Sequence, residues 1–154
     1  DKVIKTIGKR GREEGDFNFP SQMTVDPKGN LYVVDTMNGR VQIFDTEGRF
    51  IRAFGKLGDG PGQFARPKGI ALDSEGHIYV VDSAFNNVQI FNNEGEMLMG
   101  FGGFGEGRGE QILPAGLAID SEDNIYVIDQ WNARVNVYEY MGEKYKARKG
   151  KKNP

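Results

Sequence analysis

The chain has 154 residues, a formal net charge of −2, one histidine and no cysteine. Without cysteine it can form no disulfide framework, no thiolate metal site and no CxxCH haem attachment. The sequence also lacks an apolar run of about 18 residues, the length that a membrane-spanning helix requires, so no membrane span is predicted.

The sequence repeats itself with a period of 47 residues, which indicates a repeat architecture. LYVVDTMNGRVQIF, IYVVDSAFNNVQIF and IYVIDQWNARVNVY begin at residues 31, 78 and 125. Proline, aspartate and glycine recur at the same interval: Pro20, Pro67 and Pro114; Asp26, Asp73 and Asp120; Asp35, Asp82 and Asp129; Gly8, Gly55 and Gly102. We predict three structural units, over about residues 20–55, 67–102 and 114–149.

Each unit is predicted to contain four short strands. The first is MTVD, GIALD or GLAID, and a turn separates it from LYVVD, IYVVD or IYVID, which are rich in β-branched and aromatic residues. A short loop leads to RVQIF, NVQIF or RVNVY, which alternates with period two. DTEG or NNEG then predicts a hairpin turn before the fourth strand, RFIRAFG or EMLMGFG. No stretch keeps a 3.6-residue period with caps, so helical repeats are not expected.

Two further segments fall in the fourth-strand position. Residues 3–8, VIKTIG, align with FIRAFG at 50–55 and are predicted to be an orphan outer strand. Residues 143–149, EKYKARK, occupy the outer-strand position of the last unit. We therefore divide the chain into repeats over 1–142 and a basic outer strand and tail over 143–154. The tail holds six Lys/Arg and one acid, whereas the rest has a net charge of −7. The tail is a frayed terminus or a contact for an acidic partner or phosphate.

Four strands per repeat are typical of a β-propeller blade, and the repeat resembles that of the NHL-repeat family. The match is to P-x-x-[IVL]-[AT]-[VIL]-D followed by [IL]-Y-[VI]-[VI]-D-x-x-N-x-R-[VI]-x-[VI]-[FY], which three tandem copies follow with a few departures over nearly the whole chain. The resemblance implies an all-β propeller of four-stranded antiparallel blades. Since NHL propellers usually have six blades, this chain looks like the C-terminal three, half of a ring. We expect the ring to be closed by dimerisation or by a missing N-terminal half.

The charged residues that recur have two interpretations. Asp35 with Arg40, and Asp129 with Arg134, flank the loop between the second and third strands. They form ion pairs or caps that fix this loop, or they supply catalytic or anion-binding charge. The structural interpretation is favoured, because catalysis rarely needs identical copies. A second set ends the first strand of each unit and is predicted to head Asx-type turns: Asp26, Asp73 and Asp120.

The second unit departs from the charge pattern. Asn87 stands where the other units have arginine, so Asp82 is expected to lack a cationic partner. Such a departure marks function, strain or simple sequence drift. The single histidine, His77, has no second histidine near it and does not predict a zinc site. The Gly-rich stretches GKLGDGPG and GGFGEGRG are not phosphate loops, since neither is followed by Lys-Ser/Thr and a helix.

One face of the propeller is predicted to bind a partner. The loops that enter the first strand of each blade and the loops between the second and third strands emerge at the same end, and their residues differ between repeats. Aromatic residues and arginine are favoured at such surfaces. For Phe17, packing between blades is the alternative. The candidate residues are Arg12, Phe17, Asn18, Met37, Arg66, Lys68, Asp82, Phe85, Arg108, Gln111, Trp131 and Asn132.

The favoured function is a non-catalytic scaffold that binds a protein or peptide, with no cofactor, and that associates with itself into a closed ring. With one histidine and no cysteine, no Ser-His-Asp or Cys-His arrangement is available. One alternative is a Ca²⁺-dependent hydrolase or lyase, as some six-bladed relatives are metal-dependent. A second is RNA binding, against which the acidic body argues. The ending VNVYEYMGEKYK resembles bacterial NHL proteins found alongside multihaem cytochromes, which favours a periplasmic or extracellular setting.

Overall fold

The computed structural model of the chain describes residues 1–150, in which the strands form three antiparallel sheets, here called blades 1 to 3. Blade 1 consists of β1 (Pro20–Val25), β2 (Leu31–Asp35), β3 (Arg40–Phe44) and β4 (Phe50–Phe54), paired in chain order. Blade 2 repeats this order with β5 (Pro67–Leu72), β6 (Ile78–Asp82), β7 (Asn87–Phe91) and β8 (Met97–Gly102). Blade 3 has β9 (Pro114–Ile119), β10 (Asn124–Asp129) and β11 (Arg134–Glu139). The predicted all-β architecture of antiparallel blades is confirmed.

The expected outer strand at 143–149 is wrong, because Glu143–Gly150 form a helix, α1. The segment contains no β-branched residue, and its charges suit a helix, with Glu143 in the first turn and Arg148 and Lys149 in the last. The Glu75 carboxylate accepts the Glu143 N–H at 2.8 Å and so caps the start of α1. The tail residues 151–154 lie outside the described residues.

The orphan strand expected at residues 3–8 is not formed either. A strand requires a hydrogen-bonded neighbour, and within residues 1–150 no strand pairs with this segment. Val3 and Ile4 are exposed instead.

The turn between the first and second strands of each blade is held by its aspartate. The Asp26 carboxylate accepts the N–H groups of Lys28 and Asn30, both at 2.8 Å. Asp73 and Asp120 accept the same pair of groups in blades 2 and 3. The predicted Asx-type turns are therefore confirmed, and they fix the register in which the following strand pairs with the preceding one.

The blades pack face to face through two apolar clusters. Between blades 1 and 2, Val34, Val41 and Phe54 meet Phe64, Val80 and Phe91. Between blades 2 and 3, Val81, Val88 and Ile90 meet Leu117, Ile125 and Val127. Fully burying one such side chain contributes about 1.5–3 kcal/mol, so each blade is stabilised mainly by its neighbour.

Two blade faces lack such a neighbour within residues 1–150. On the trailing face of blade 3, Ile128, Val135 and Val137 are 49%, 55% and 59% exposed. The residues at the same repeat positions in blade 2 are buried by blade 3. On the leading face of blade 1, Met23 and Val25 are likewise exposed. Where two blades are consecutive in the chain, the trailing face of the first packs on the leading face of the second. The exposed faces of blades 3 and 1 carry the same two sets of repeat positions.

Candidate functional site

The aspartate that ends the second strand of each blade fastens the loop that leads into that blade. Asp35 Oδ1 accepts the Asn18 N–H at 2.7 Å, and Asp129 Oδ1 accepts the Ile112 N–H at 2.8 Å. In blade 2, Asp82 accepts the N–H groups of Ala65 and Arg66. All three carboxylates are fully buried. Each therefore fixes the entry of its loop into the first strand of the blade.

The predicted ion pairs complete this arrangement in blades 1 and 3. Arg40 Nε lies 2.9 Å from Asp35 Oδ2, and Arg134 Nε lies 2.8 Å from Asp129 Oδ2. Both guanidinium groups also donate to loop carbonyl oxygens, such as that of Asp16 for Arg40. Burial would raise the pKa of Asp129, but hydrogen bonds from Ile112, Asn132 and Arg134 hold it below its usual value. The structural interpretation of these charges is supported.

Asp82 has no cation beside it within residues 1–150, as the sequence predicted. Its carboxylate accepts four backbone N–H groups instead, the further two coming from Ala84 and Phe85. Asn87, in the arginine position, has a buried Oδ1 without a hydrogen-bond partner in the described part of the chain.

The two sets of loops lie at one end of the blades, as predicted. The Met37 N–H donates to the Asn18 oxygen at 3.0 Å, and Ser83 and Trp131 donate in the same way to Arg66 and Ile112. We call this end the loop face; it consists of residues 9–19, 36–39, 56–66, 83–86, 103–113 and 130–133. The backbone of the loop face is hydrogen-bonded to the blades, whereas many of its side chains are exposed.

Exposed apolar side chains lie on the loop face, among them Leu57 and Phe104 of the crossing loops. Of the predicted residues, Met37 is 54% and Trp131 is 68% exposed. The sequence interpretation missed Phe19 and Leu113, which are also exposed and occupy one repeat position. Both have a left-handed backbone, with φ of 54° and 51°, a conformation that is unfavourable for bulky residues. Blade 2 has Arg66 at this position, so the variation among residues 19, 66 and 113 was the available signal.

Basic side chains lie on the loop face or, for Lys68, in the strand that follows it. Arg12, Arg66 and Arg108 are exposed and Lys68 is half-buried. None of the four takes part in an ion pair with a residue of the range 1–150. The loop face therefore offers exposed arginine groups that are not held in ion pairs with other described residues, together with apolar side chains.

Several predicted residues serve the framework rather than the surface. Asp82 and Gln111 are fully buried, which corrects the expectation that they belong to the binding surface. Gln111 Nε2 donates to the Asn86 oxygen at 3.2 Å. Phe17 packs on Phe44 of the blade that its own loop enters, with ring centroids 5.5 Å apart.

The remaining predicted residues of the loop face are partly buried. Asn18 acts through its backbone, as described above. Asn132 Nδ2 donates to Asp129 and to the Gly105 oxygen, at 2.8 and 3.0 Å. Phe85 is half-buried.

The opposite end of the blades carries buried polar clusters. His77 Nδ1 lies 2.8 Å from Asp73 Oδ2, and the Tyr79 hydroxyl donates to the same oxygen at 3.1 Å. Burial and the Asp73 charge raise the pKa of Tyr79. Within residues 1–150 no three His, Asp or Glu side chains come together to hold a metal ion. In that range no helix has the length and hydropathy of a membrane span.

The chain matches a family model described as "6-bladed beta-propeller" over residues 12–84 and 74–150. The B-box type zinc finger protein ncl-1 of Caenorhabditis elegans is 48% identical over 44 residues, which are 29% of this chain and 5% of that protein. The matched part is thus a small fraction of that relative's length.

Two solved structures are similar in fold. A putative exported protein from Bacteroides fragilis has a TM-score of 0.65 and 16% identity, over 88% of this chain and 39% of the other. The catalytically inactive H270A virginiamycin B lyase from Staphylococcus aureus, solved with quinupristin, has a TM-score of 0.59 and 10% identity, over 87% and 44%. In both cases the chain spans less than half of the similar structure.

Proposed function

The chain belongs to the family of 6-bladed β-propellers, and on that premise we propose that it is a non-catalytic scaffold that binds a protein or peptide on its loop face. The NHL-type repeat that the sequence predicted is confirmed by the family and by the relatives. The observation that carries the proposal is the group of exposed side chains at positions where the repeats differ: Phe19, Met37, Arg66, Leu113 and Trp131.

The chemistry of this group favours a polypeptide partner. Large apolar side chains on a rigid backbone lose little conformational entropy on binding, and they can act as anchors. Phe19 and Leu113 are held in an unfavourable backbone conformation, which is a recurrent property of binding sites. Arg66 supplies a donor for a carboxylate of the partner. The resemblance of the C-terminal sequence favours a bacterial periplasmic or extracellular assembly as the setting.

The proposal is tested by selecting ligands from a random peptide library on the immobilised chain and measuring their affinity by calorimetry. We expect Trp131→Ala and Met37→Ala each to weaken binding at least about tenfold, as for interface anchors. Leu98→Ala, on β8 away from the loop face, is the matched control, because Leu98 is also an exposed apolar residue. Selected peptides that bind all three variants equally would contradict the proposal.

Two alternatives are tested by separate measurements on the same purified chain. Single-stranded RNA that binds with a steep salt dependence would favour a nucleic-acid function. Bound Ca²⁺ found by elemental analysis of the purified chain would favour the metal-dependent hydrolase or lyase.

We also propose that two copies of the chain close one six-bladed ring. The trailing face of blade 3 and the leading face of blade 1 carry the same repeat positions that are buried between consecutive blades. A groove of about 370 Å³ on the leading side is lined by Ile7, Phe17, Phe19 and Pro20. On the leading side of blade 2 the corresponding groove is filled by blade 1, whose Gly39 packs on Leu57 of the loop that enters blade 2. Light scattering after size exclusion should give twice 17.1 kDa; a mass of one chain would contradict ring closure.

A further inference from the structure

The outer edge of β11 has no strand beside it within residues 1–150. In blades 1 and 2 the corresponding strands, β3 and β7, pair with the outer strands β4 and β8. In blade 3 the chain leaves the sheet after Glu139 and forms α1. Arg148 of α1 makes ion pairs with Glu122 and Glu139, both at 2.9 Å, at the end of the blades opposite the loop face. A free edge of this kind presents unpaired N–H and C=O groups, which pair readily with another strand.

Residues 2–8, here called the amino-terminal segment, have the sequence and position of an outer strand but are not paired with any strand of residues 1–150. They align with β4 at the repeat interval of 47 residues. Ile7 already lies against Gly48 in the way that Phe54 lies against Gly95: a methyl group on either glycine would come within 2.9 Å of that side chain. The segment therefore lies on blade 1 as β4 lies on blade 2. A sheet that covers the leading face of blade 1 would lie beside this segment.

We propose that the amino-terminal segment of a second copy pairs antiparallel with β11 and completes blade 3. The inference rests on the proposed ring closure, because a second copy places its blade 1 against the trailing face of blade 3. Within each chain, the same packing brings β4 beside the hairpin of blade 2, where Phe54 lies against Gly95. Two such exchanges, one at each junction, then hold the ring together by backbone hydrogen bonds as well as by apolar faces.

The register follows from the two complete blades. Val41, Gln42 and Ile43 face Phe54, Ala53 and Arg52, and the bulge after Ile43 brings Phe44 opposite Phe50. Blade 2 has the same pairing with the same bulge. Shifted by the repeat, this register pairs Val135 with Ile7, Asn136 with Thr6, Val137 with Lys5 and Tyr138 with Val3 of the second copy.

Charge at the end of the strand agrees with this register. In blade 1, Arg49 Nε lies 2.7 Å from Asp45 Oδ2, where β3 passes into β4. The corresponding residues of the exchanged pair are Lys2 and Glu139, which again have opposite charges. Asn92 and Glu96 make the corresponding hydrogen bond in blade 2, at 2.8 Å.

Disulfide trapping tests the exchange, because the natural chain has no cysteine. Lys5→Cys and Val137→Cys are made in separate chains, mixed and oxidised; both positions are exposed, so the fold should be retained. Facing residues of antiparallel strands have Cα atoms about 4.5–5.5 Å apart, within the range of a disulfide. We expect most of the mixed dimer to become cross-linked and to run at twice the chain mass under non-reducing conditions.

Thr6→Cys mixed with Val137→Cys is the matched control, because Thr6 is adjacent to Lys5 but points to the other face of a strand. It should cross-link at least about tenfold more slowly. A dimer that does not cross-link through residues 5 and 137, or that cross-links equally through 6 and 137, would overturn the exchange and leave ring closure standing. A single-chain mass in the unoxidised mixture would overturn both.

Discussion

The side-chain Nε2 of Gln22 in blade 1 donates a 3.0 Å hydrogen bond to the backbone oxygen of Leu117 in blade 3. The amide reaches across blade 2 because Gly69 has no side chain. A methyl group at Gly69 would lie 2.8 Å from the Gln22 Oε1 and 2.9 Å from the Leu117 nitrogen. One side chain thus connects the inner strands of the two outer blades.

Gly69→Ala is expected to lower the free energy of unfolding by about 1–3 kcal/mol, because the added methyl overpacks the inner strands. Gln22→Ala should cost about 1 kcal/mol for the lost hydrogen bond. Urea unfolding followed by circular dichroism measures both changes. Gly103→Ala is the control, since no atom lies within 4 Å of its added methyl and it should be neutral or slightly stabilising. Equal effects of the two glycine variants would contradict this role of Gly69.

Asn87→Arg should raise the free energy of unfolding by about 1 kcal/mol, within the range of charge optimisation. It restores the guanidinium that faces the aspartate in blades 1 and 3, and it removes a buried oxygen that has no partner in the described chain. The reverse change in blade 1, Arg40→Asn, should cost about 3 kcal/mol, because it leaves Asp35 buried without its cation. Denaturant midpoints of the two variants should therefore move in opposite directions. A destabilised Asn87→Arg would mean that blade 2 has lost the space for arginine.

The Asp120 carboxyl should make stability depend on pH in a defined window. Hydrogen bonds from the Asn124 side chain and backbone and from Tyr126 lower its pKa from 3.8 to about 2. The folded state therefore favours the ionised form, and this stabilisation is fully present above pH 3.8 and is lost as the pH falls toward 2.

The free energy of unfolding of the natural chain and of Asp120→Asn is compared across this window. The difference between them should be largest near neutral pH and should shrink as the pH falls through the window. Asp59→Asn, which removes an exposed carboxyl from a crossing loop, is the matched control for the loss of one charge. A difference for Asp120→Asn that grows on acidification would refute the assignment.

Glu75, in a turn of blade 2, is expected to stabilise α1, which follows blade 3. Its carboxylate accepts the Glu143 N–H at 2.8 Å and the Tyr140 hydroxyl at 3.2 Å. Burial and the Glu75 charge raise the pKa of Tyr140 to about 12. Glu75→Ala should speed amide hydrogen exchange in residues 143–150 about fivefold, the effect of losing one helix cap worth about 1 kcal/mol. Glu94→Ala, in an exposed turn of blade 2, should leave that exchange unchanged.

The sequence by itself determined the blades. The interval of 47 residues, the alternation of apolar residues and the turn aspartates are local patterns, and each unit must bury its faces against a copy of itself. The ion pairs of Asp35 with Arg40 and Asp129 with Arg134 were predictable for the same reason, since a framework contact recurs wherever the framework recurs. The position of the loop face also followed, because strand order fixes which loops share an end.

The tertiary structure alone decided which variable residues are exposed and which strands find partners. Gln111 replaces phenylalanine in the repeat, yet it keeps the buried position, so composition could not distinguish it from Trp131. Residues 3–8 have the pattern of an outer strand and form none, because a strand exists only through hydrogen bonds to a neighbour that local sequence does not supply. Residues 143–150 form a helix that their local charges suit, and its first turn is capped by Glu75, which lies 68 residues before Glu143.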